Sequence, residues 1–312
     1  MNKILILGYS SICVRRVIPA LIKMEEIESI EIASMSKSIN KLKKVGNVYD
    51  SYEKALEKSD ASIVYISLPN AFHYEYSKKS ILNEKNVIVD KPAVLNSSEL
   101  DNLISLINNK NLFLSQSCVF EYHKGWEAFK KYGQKYKNGT LSATFLIPEL
   151  AKNNFRMSSE LGGGSINDMG IYASESGKSF WGEGAKYFSI VDESKPKDKI
   201  NTGFSGIANY GEGKEAVFKF GFNKEYKNNI TFKTSEFSIS YDRIFSPPAD
   251  FNVNLLTKSS RSNDKIEVGS DDTFSNYLKD IYDKYKRDEI DKINREFMSS
   301  TKEFLKLKKE LI

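Results

Sequence analysis

The chain has 312 residues, more than one hydrophobic core usually serves, so two domains are expected, residues 1–118 and 119–312. Hydrophobic residues at 40% and charged residues at 28% fit a soluble globular protein, and the net charge of +5, from 46 basic among 41 acidic residues, fits a solvated lysine-rich surface rather than a nucleic-acid face. No apolar run reaches the roughly 18 residues of a membrane span, two cysteines give no disulfide framework, and the opening from Lys3 into a short apolar run lacks a signal-peptide cleavage site, so the expected location is the cytoplasm.

Up to about residue 118, β-rich runs alternate with helical patterns. Residues 3–7, 29–33, 62–67, 86–90 and 112–115 are candidate strands, and 12–23, 51–58, 73–82 and 97–108 are candidate helices. Ser97-Ser98-Glu99-Leu100 sets hydroxyls ahead of an apolar periodicity, the mark of a helix start. Apolar strands separated by helices predict a doubly wound parallel sheet with right-handed crossovers.

The second half has a different texture. Residues 140–147, 188–191, 203–210, 216–222, 229–234, 237–241 and 251–256 read as successive strands, and Tyr210-Gly211-Glu212-Gly213-Lys214 reads as a hairpin turn. Strands joined by short turns predict an α+β domain with a large, mainly antiparallel open sheet. From Thr273 onward the pattern returns to helix, with Ile290, Ile293, Phe297, Phe304 and Leu305 on one apolar face.

The turn after the first strand is where a doubly wound fold holds a pyrophosphate, through a G-x-G-x-x-G pattern. Here only Gly8 is a glycine, and Ser10 and Cys13 stand at the second and third positions. Gly8 would make the tight turn, the Ser10 hydroxyl would donate to a phosphate, and small Cys13 would let the helix pack on the sheet. The same residues also suit a plain strand-to-helix turn. At the tip of the second strand no carboxylate awaits a ribose 2′-hydroxyl, and Glu31 lies inside the strand. Ser34, Ser36 and Lys37, with Lys41 beyond, suit a 2′-phosphate and hence NADP over NAD. They equally suit a solvated lysine loop.

Three stretches add specificity in combination: 64–74 (VYISLPNAFHY), 86–92 (NVIVDKP) and 160–172 (ELGGGSINDMGIY), with 120–126 (FEYHKGW) as a looser fourth. In this order and spacing they resemble the glucose–fructose oxidoreductase and inositol dehydrogenase (Gfo/Idh/MocA) family, and within it the branch of dihydrodiol dehydrogenases and sugar reductases. The resemblance implies a Rossmann domain followed by a domain whose large sheet often forms an oligomer interface, dimer or tetramer. It implies NADP or NAD as cofactor. It also implies hydride transfer to or from a sugar, sugar nucleotide or related hydroxy compound. Cofactor contacts are then expected at Gly8, Ser10, Ser11, Ile12, Ser34, Ser36, Lys37, Leu68, Pro69, Asn70, His73 and Asp90.

Lys91 falls on the lysine of the family's Glu-Lys-Pro motif, with Asp90 replacing the usual Glu on a shorter stem. Tyr172 falls where relatives carry His or Tyr, four residues after Asp168. In a helix, Asp168 and Tyr172 would share one face. A phenol near pKa 10 is a weak acid at neutral pH, and a nearby lysine cation would ease its proton loss. Lys91 and Tyr172 are thus expected to handle the proton, and Asp168 to bind substrate or orient the tyrosine. His123, on the fourth stretch, is expected near substrate, and Arg156 is expected to meet an anionic substrate group. Glu121 stands where relatives often have Arg, which leaves the substrate open. With two histidines and no metal-spaced cysteines, no metal site is expected.

The leading expectation is an NAD(P)-dependent oxidoreductase acting on a small molecule, with no nucleic-acid or membrane partner. The alternatives are a non-catalytic ligand-binding or scaffold protein of the same fold, and a redox-neutral glycosidase-like enzyme that uses tightly held NAD.

Overall fold

The computed structural model describes residues 2–35, 39, 42–194 and 199–311. The chain divides into two compact units: residues up to Ser117 together with Phe274–Thr301, and Cys118–Thr273 together with the residues from Lys302 on.

Six short strands build the first unit: β1 (Lys3–Leu7), β2 (Ser29–Ala33), β3 (Val45–Tyr49), β4 (Ile63–Ile66), β5 (Asn86–Val89) and β6 (Leu114–Gln116). All pair in parallel, in the order β3-β2-β1-β4-β5-β6. Strands covered on both faces carry apolar residues at consecutive positions, and Leu5, Ile6, Leu7, Val64, Tyr65 and Ile66 are all fully buried. The expected α/β class is borne out. β3 escaped the sequence reading because it is a partly exposed edge strand carrying Gly46 and Asn47.

Helices α1 (Ile18–Lys23), α2 (Tyr52–Lys58), α3 (His73–Leu82) and α4 (Ser97–Lys110) follow β1, β3, β4 and β5. A π-helical turn, Cys13–Val17, leads into α1. Pro19 has no N–H to offer the Arg15 carbonyl and its ring crowds that group, so the turn widens and Ile18 N–H bonds back to Cys13 O. The start of α4 lies one residue ahead of the expected hydroxyls. Asn96 is its N-cap, accepting from Glu99 N at 3.0 Å, while the Glu99 carboxylate accepts from Leu95 N at 2.7 Å.

The second unit contains α5 (Lys124–Gly133), α6 (Ser165–Trp181) and eight strands: β7 (Gly139–Leu146), β8 (Lys186–Asp192), β9 (Gly203–Asn209), β10 (Lys214–Gly221), β11 (Lys227–Lys233), β12 (Phe237–Asp242), β13 (Val253–Ser259) and β14 (Asn263–Gly269). Their order is β14-β13-β12-β11-β7-β10-β9-β8. Every pairing is antiparallel except β7 with β10. The expected hairpin turn is present, with Lys214 N–H donating to Gly211 O at 2.9 Å. Strand β14 went unread because none of its side chains is buried.

One face of this sheet supplies Leu141, Ala143, Phe145, Phe218, Phe220, Ile230, Phe232 and Ile239 to the core. Trp126 stacks on Phe129 at 5.3 Å, and Phe180 of α6 meets Phe129, Trp181 and Phe232. The chain ends in α7 (Thr273–Lys286) and α8 (Ile290–Leu311). In the first unit these anchor β6: Asn294 Oδ1 accepts from Leu114 N, Tyr277 bonds Ser115, and Gln116 Nε2 donates to Thr301. No helix of the described residues is long and apolar enough to cross a membrane.

Candidate functional site

In a doubly wound sheet, ligands lie beyond the carboxyl ends of the strands where the strand order reverses. Here that point falls between β1 and β4, and the Gly8–Ile12 turn leaves β1 there. Gly8 has φ +97°, and a Cβ built on it would stand 2.3 Å from Ser67 O and 2.8 Å from a Leu68 methyl. The turn therefore passes the end of β4 at a distance that only glycine allows. The first helical bond runs from Val14 N to Ser10 O, so the N–H groups of Ser11 and Ile12 precede the helical ladder, where an anion is held.

The Ser10 hydroxyl is engaged differently from the expected phosphate contact. Ser67 Oγ donates its single hydrogen to Asp90 Oδ2 at 2.6 Å, so in the 2.7 Å pair between the two serines Ser10 is the donor. Ser10 Oγ also accepts from Cys13 N at 3.1 Å. Its hydrogen is spent inside the protein, and the turn offers a phosphate its backbone. Cys13 is fully buried, as its packing role requires, and burial pushes its thiol pKa far up.

Asp90 gathers three hydroxyls. Beside Ser67, Tyr65 Oη donates to Oδ1 at 2.6 Å and Ser117 Oγ at 3.1 Å. Burial, and then the Asp90 charge, raise the Tyr65 phenol well above its ordinary value, so it stays a donor. Asp90 is thus a crosslink of strand ends in addition to lying beside Lys91. The Lys91-Pro92 peptide bond is cis.

His73 lies 1% exposed between two carbonyls, Nδ1 at 2.8 Å from Pro92 O and Nε2 at 2.7 Å from Leu68 O. Both ring nitrogens are committed to backbone, so His73 ties the Leu68 and Pro92 loops together rather than facing a ligand. Burial pulls its pKa below the ordinary value, against the pull of those two carbonyls. Asn70 is buried on the short turn Asn70–Phe72, whose Phe72 N–H donates to Pro69 O.

At the tip of β2, Ser34 N–H donates to Tyr49 O at 3.0 Å. Glu31 is 2% exposed and faces β3, accepting from Asn47 Nδ2 and Tyr49 Oη, each at 3.1 Å. Ser36, Lys37 and Lys41 lie outside the described residues.

In the second unit, Asp168 and Tyr172 stand one turn apart on α6, as the spacing predicts. Asp168 accepts from Arg156 Nε at 2.9 Å, and the guanidinium also lies over the Phe155 ring. Arg156 therefore pairs with Asp168 itself. Tyr172 packs against Phe245 at 5.2 Å, Phe145 at 6.0 Å and Phe120 at 6.1 Å. His123 is 1% exposed and caps α5, its Nδ1 accepting from Gly125 N at 2.9 Å. Its expected substrate contact has no support in that geometry, and burial lowers its pKa.

Glu121 has its own partners. Ser179 Oγ donates to Glu121 Oε2 at 2.6 Å, and Glu175, itself 2.7 Å from Lys178 Nζ, faces the Glu121 carboxyl. Burial first, then the Glu175 charge, push the Glu121 carboxyl up to about 8. A protonated Glu121 can donate to Glu175, whose Oε2 is otherwise buried without a hydrogen-bond partner.

The sequence reading missed Tyr65, Ser67, Ser117 and Gln116, which accepts from Ala93 N at 3.1 Å behind the Lys91 loop. A signal was available for two of them. Tyr65 and Ser67, two apart on a strand end, share one face.

A parallel sheet with a tight glycine turn at its switch point, followed by a second α+β unit, is the build of a nicotinamide-dinucleotide oxidoreductase. Residues 2–117 match the profile of the Gfo/Idh/MocA oxidoreductase family with an NAD-binding Rossmann fold. Among curated proteins the chain is similar to dTDP-3,4-didehydro-2,6-dideoxy-alpha-D-glucose 3-reductase of Saccharopolyspora spinosa. The two are 26% identical over 275 residues, covering 86% of this chain and 82% of that one. It is also similar to D-xylose 1-dehydrogenase (NADP(+)) 2 of Haloferax volcanii, at 25% identity over 70% of this chain and 69% of that one. Among solved structures it resembles KijD10, a 3-ketoreductase of Actinomadura kijaniata in complex with NADP and TDP-benzene. That match has a TM-score of 0.90 at 21% identity and covers 99% of this chain and 96% of that one.

Two outcomes follow. Gly8→Ala forces a Cβ into the Ser67 carbonyl at a positive φ, so NADPH affinity in a fluorescence titration is expected to fall at least ~tenfold. Glu121→Gln tests the shared proton. Between the ordinary carboxyl value of 4.5 and about 8, folded Glu121 keeps a proton that the unfolded chain has released. The parent therefore loses stability as pH rises through that window, by up to ~1.4 kcal/mol per unit. In urea unfolding the Gln variant should lack this slope and gain on the parent up to about pH 8.

Proposed function

We propose that the chain is an NADP-preferring oxidoreductase that interconverts a carbonyl and a carbinol on a sugar or sugar nucleotide. The observation that carries this reading is the Gly8–Ile12 turn at the β1/β4 switch point, closed to any side chain at Gly8 and followed by the N–H groups that precede the helical ladder. The turn, with Ser34 at the β2 tip, holds the dinucleotide. The nicotinamide, when bound, supplies or accepts a hydride.

The chain's own residues do the rest. Tyr172 gives its phenolic proton to the substrate oxygen in reduction and takes it back in oxidation, and Lys91 is the second residue assigned to the proton. Asp168, held by Arg156, accepts a substrate hydroxyl. NADP is favoured because Glu31 is turned onto Asn47 and Tyr49 and offers no carboxylate to a 2′-hydroxyl. The sugar nucleotide class draws on the names of the relatives, with free pentoses as the second branch.

The test follows absorbance of the reduced nicotinamide with two probes, a dTDP-linked 3-ketosugar plus NADPH and D-xylose plus NADP⁺. Lys91→Ala and Tyr172→Phe are each expected to lower kcat at least ~100-fold, and Tyr172→Phe keeps the aromatic packing. NADPH should bind at least ~tenfold more tightly than NADH, a difference of ~1.4 kcal/mol. Failure of both dinucleotides to bind overturns the reading.

The same reading gives a cytoplasmic homo-oligomer. Neither of the two buried cysteines forms a disulfide, in keeping with a reducing compartment. The face of the eight-stranded sheet opposite its core exposes Phe188, Val191, Val217 and Leu256, at 41%, 52%, 37% and 51%. Exposed large apolar groups on one sheet face fit burial against a second copy. Paired Val217→Lys and Leu256→Lys substitutions are expected to reduce the solution mass to that of one chain in light scattering. An unchanged oligomer would rule this face out.

A further inference from the structure

Three strand ends of the first unit meet at one carboxylate, and a fourth joins through Ser67. Asp90, directly after β5, accepts from Tyr65 and Ser67 at the end of β4 and from Ser117 just past β6. Ser67 in turn accepts from Ser10 in the turn after β1. The direction of every hydrogen is fixed by counting. A serine has one proton, Ser67 sends its own to Asp90, and so Ser10 must send its own to Ser67. The Ser10–Ser67 bond spans the switch point, and Asp90 is covalently adjacent to Lys91.

The main chain runs parallel to this chain of hydroxyls. Ser67 N–H donates to Leu7 O at 2.8 Å, Asp90 N–H to Ile66 O at 2.9 Å and Ser117 N–H to Val89 O at 2.9 Å. Behind the lysine, Gln116 Oε1 accepts from Ala93 N and His73 Nδ1 faces Pro92 O. The arrangement joins the dinucleotide turn to the lysine-bearing loop.

 The three hydroxyl partners of Asp90 lie 25, 23 and 27 residues away along the chain, so tertiary structure alone brings them to it.

We propose that Asp90 is a positioning residue. The Ser10–Ser67–Asp90 chain of hydrogen bonds, steadied by Tyr65 and Ser117, couples the shape of the dinucleotide turn to the placement of the Lys91 ammonium. This deepens the functional reading above and rests on it. The short Asp stem brings the carboxylate within reach of hydroxyls on β4 and past β6. Shifting any member by a few tenths of an ångström passes along bonds as short as 2.6 Å and displaces the lysine, and small displacements of a catalytic group lower turnover steeply.

The test is a double-mutant cycle on kcat with the substrate probe that turns over above. Ser67→Ala removes the central hydroxyl, and Asp90→Asn, of the same size, replaces an acceptor oxygen by a donor. Each is expected to lower kcat about tenfold in the parent background and to change it less than about twofold in a Lys91→Ala background, because the chain acts through that lysine. Ser67→Ala and Asp90→Asn should leave the urea midpoint nearly level with each other while both show the kcat loss. A loss of equal factor in both backgrounds overturns the proposal and leaves the functional reading standing, as does an unchanged kcat for both variants in the parent background. Lys91→Ala with full kcat overturns the role of Lys91 and the coupling with it.

Discussion

The first unit depends on one close approach. The carbonyl oxygen of Ser67 at the end of β4 lies where a side chain at position 8 would begin, 2.3 Å from an added Cβ. Only glycine lets the turn after β1 pass this point, and the passage brings Ser10 against Ser67. A second glycine is dispensable because Ser10 is small and its hydroxyl is absorbed by β4. A third is dispensable because Cys13 fits, fully buried, against the sheet. The thin motif is one indispensable glycine and two small residues, each with a defined partner.

The two halves handle half-buried carboxylates in opposite ways. Asp90 is surrounded by hydroxyl donors that stabilise a charge. Glu121 faces another carboxylate and has one serine, so holding a proton is its cheaper state. In the first arrangement the charge orients neighbours across strands. In the second the pair, with Lys178, joins the Glu121 turn to α6 at little net charge. Glu121 thus makes sense as part of a neutralised cluster.

The fold class was legible because burial on both faces writes itself as unbroken apolar runs, as in β1 and β4, and burial on one face as alternation, as in β7. Edge strands β3 and β14 carry little of either pattern, since little of them is buried. Motif spacing placed Asp168 and Tyr172 one turn apart on α6. What spacing does not encode is how many bonding positions a side chain has already spent. His73 and His123 fall in the quoted stretches, and Ser10 and Arg156 lie outside them, yet each of the four spends at least one polar atom on backbone, a serine or Asp168. That information resides in contacts between residues far apart in sequence.

The single parallel joint in the second sheet has a consequence for how the protein assembles. β8 to β10 and β11 to β14 are neighbours in sequence as well as in space, so each group can form through local turns. Strand β7 alone links them, pairing with β11 on one side and with β10 on the other, Gly139 opposite Lys214. Closing these two long loops carries the largest entropic penalties in the sheet and comes after the hairpins. The segment enclosed by each loop includes α6, so the seat of Asp168 and Tyr172 is completed only when the seam shuts. A nascent chain therefore gains its meander of strands first and its chemistry last.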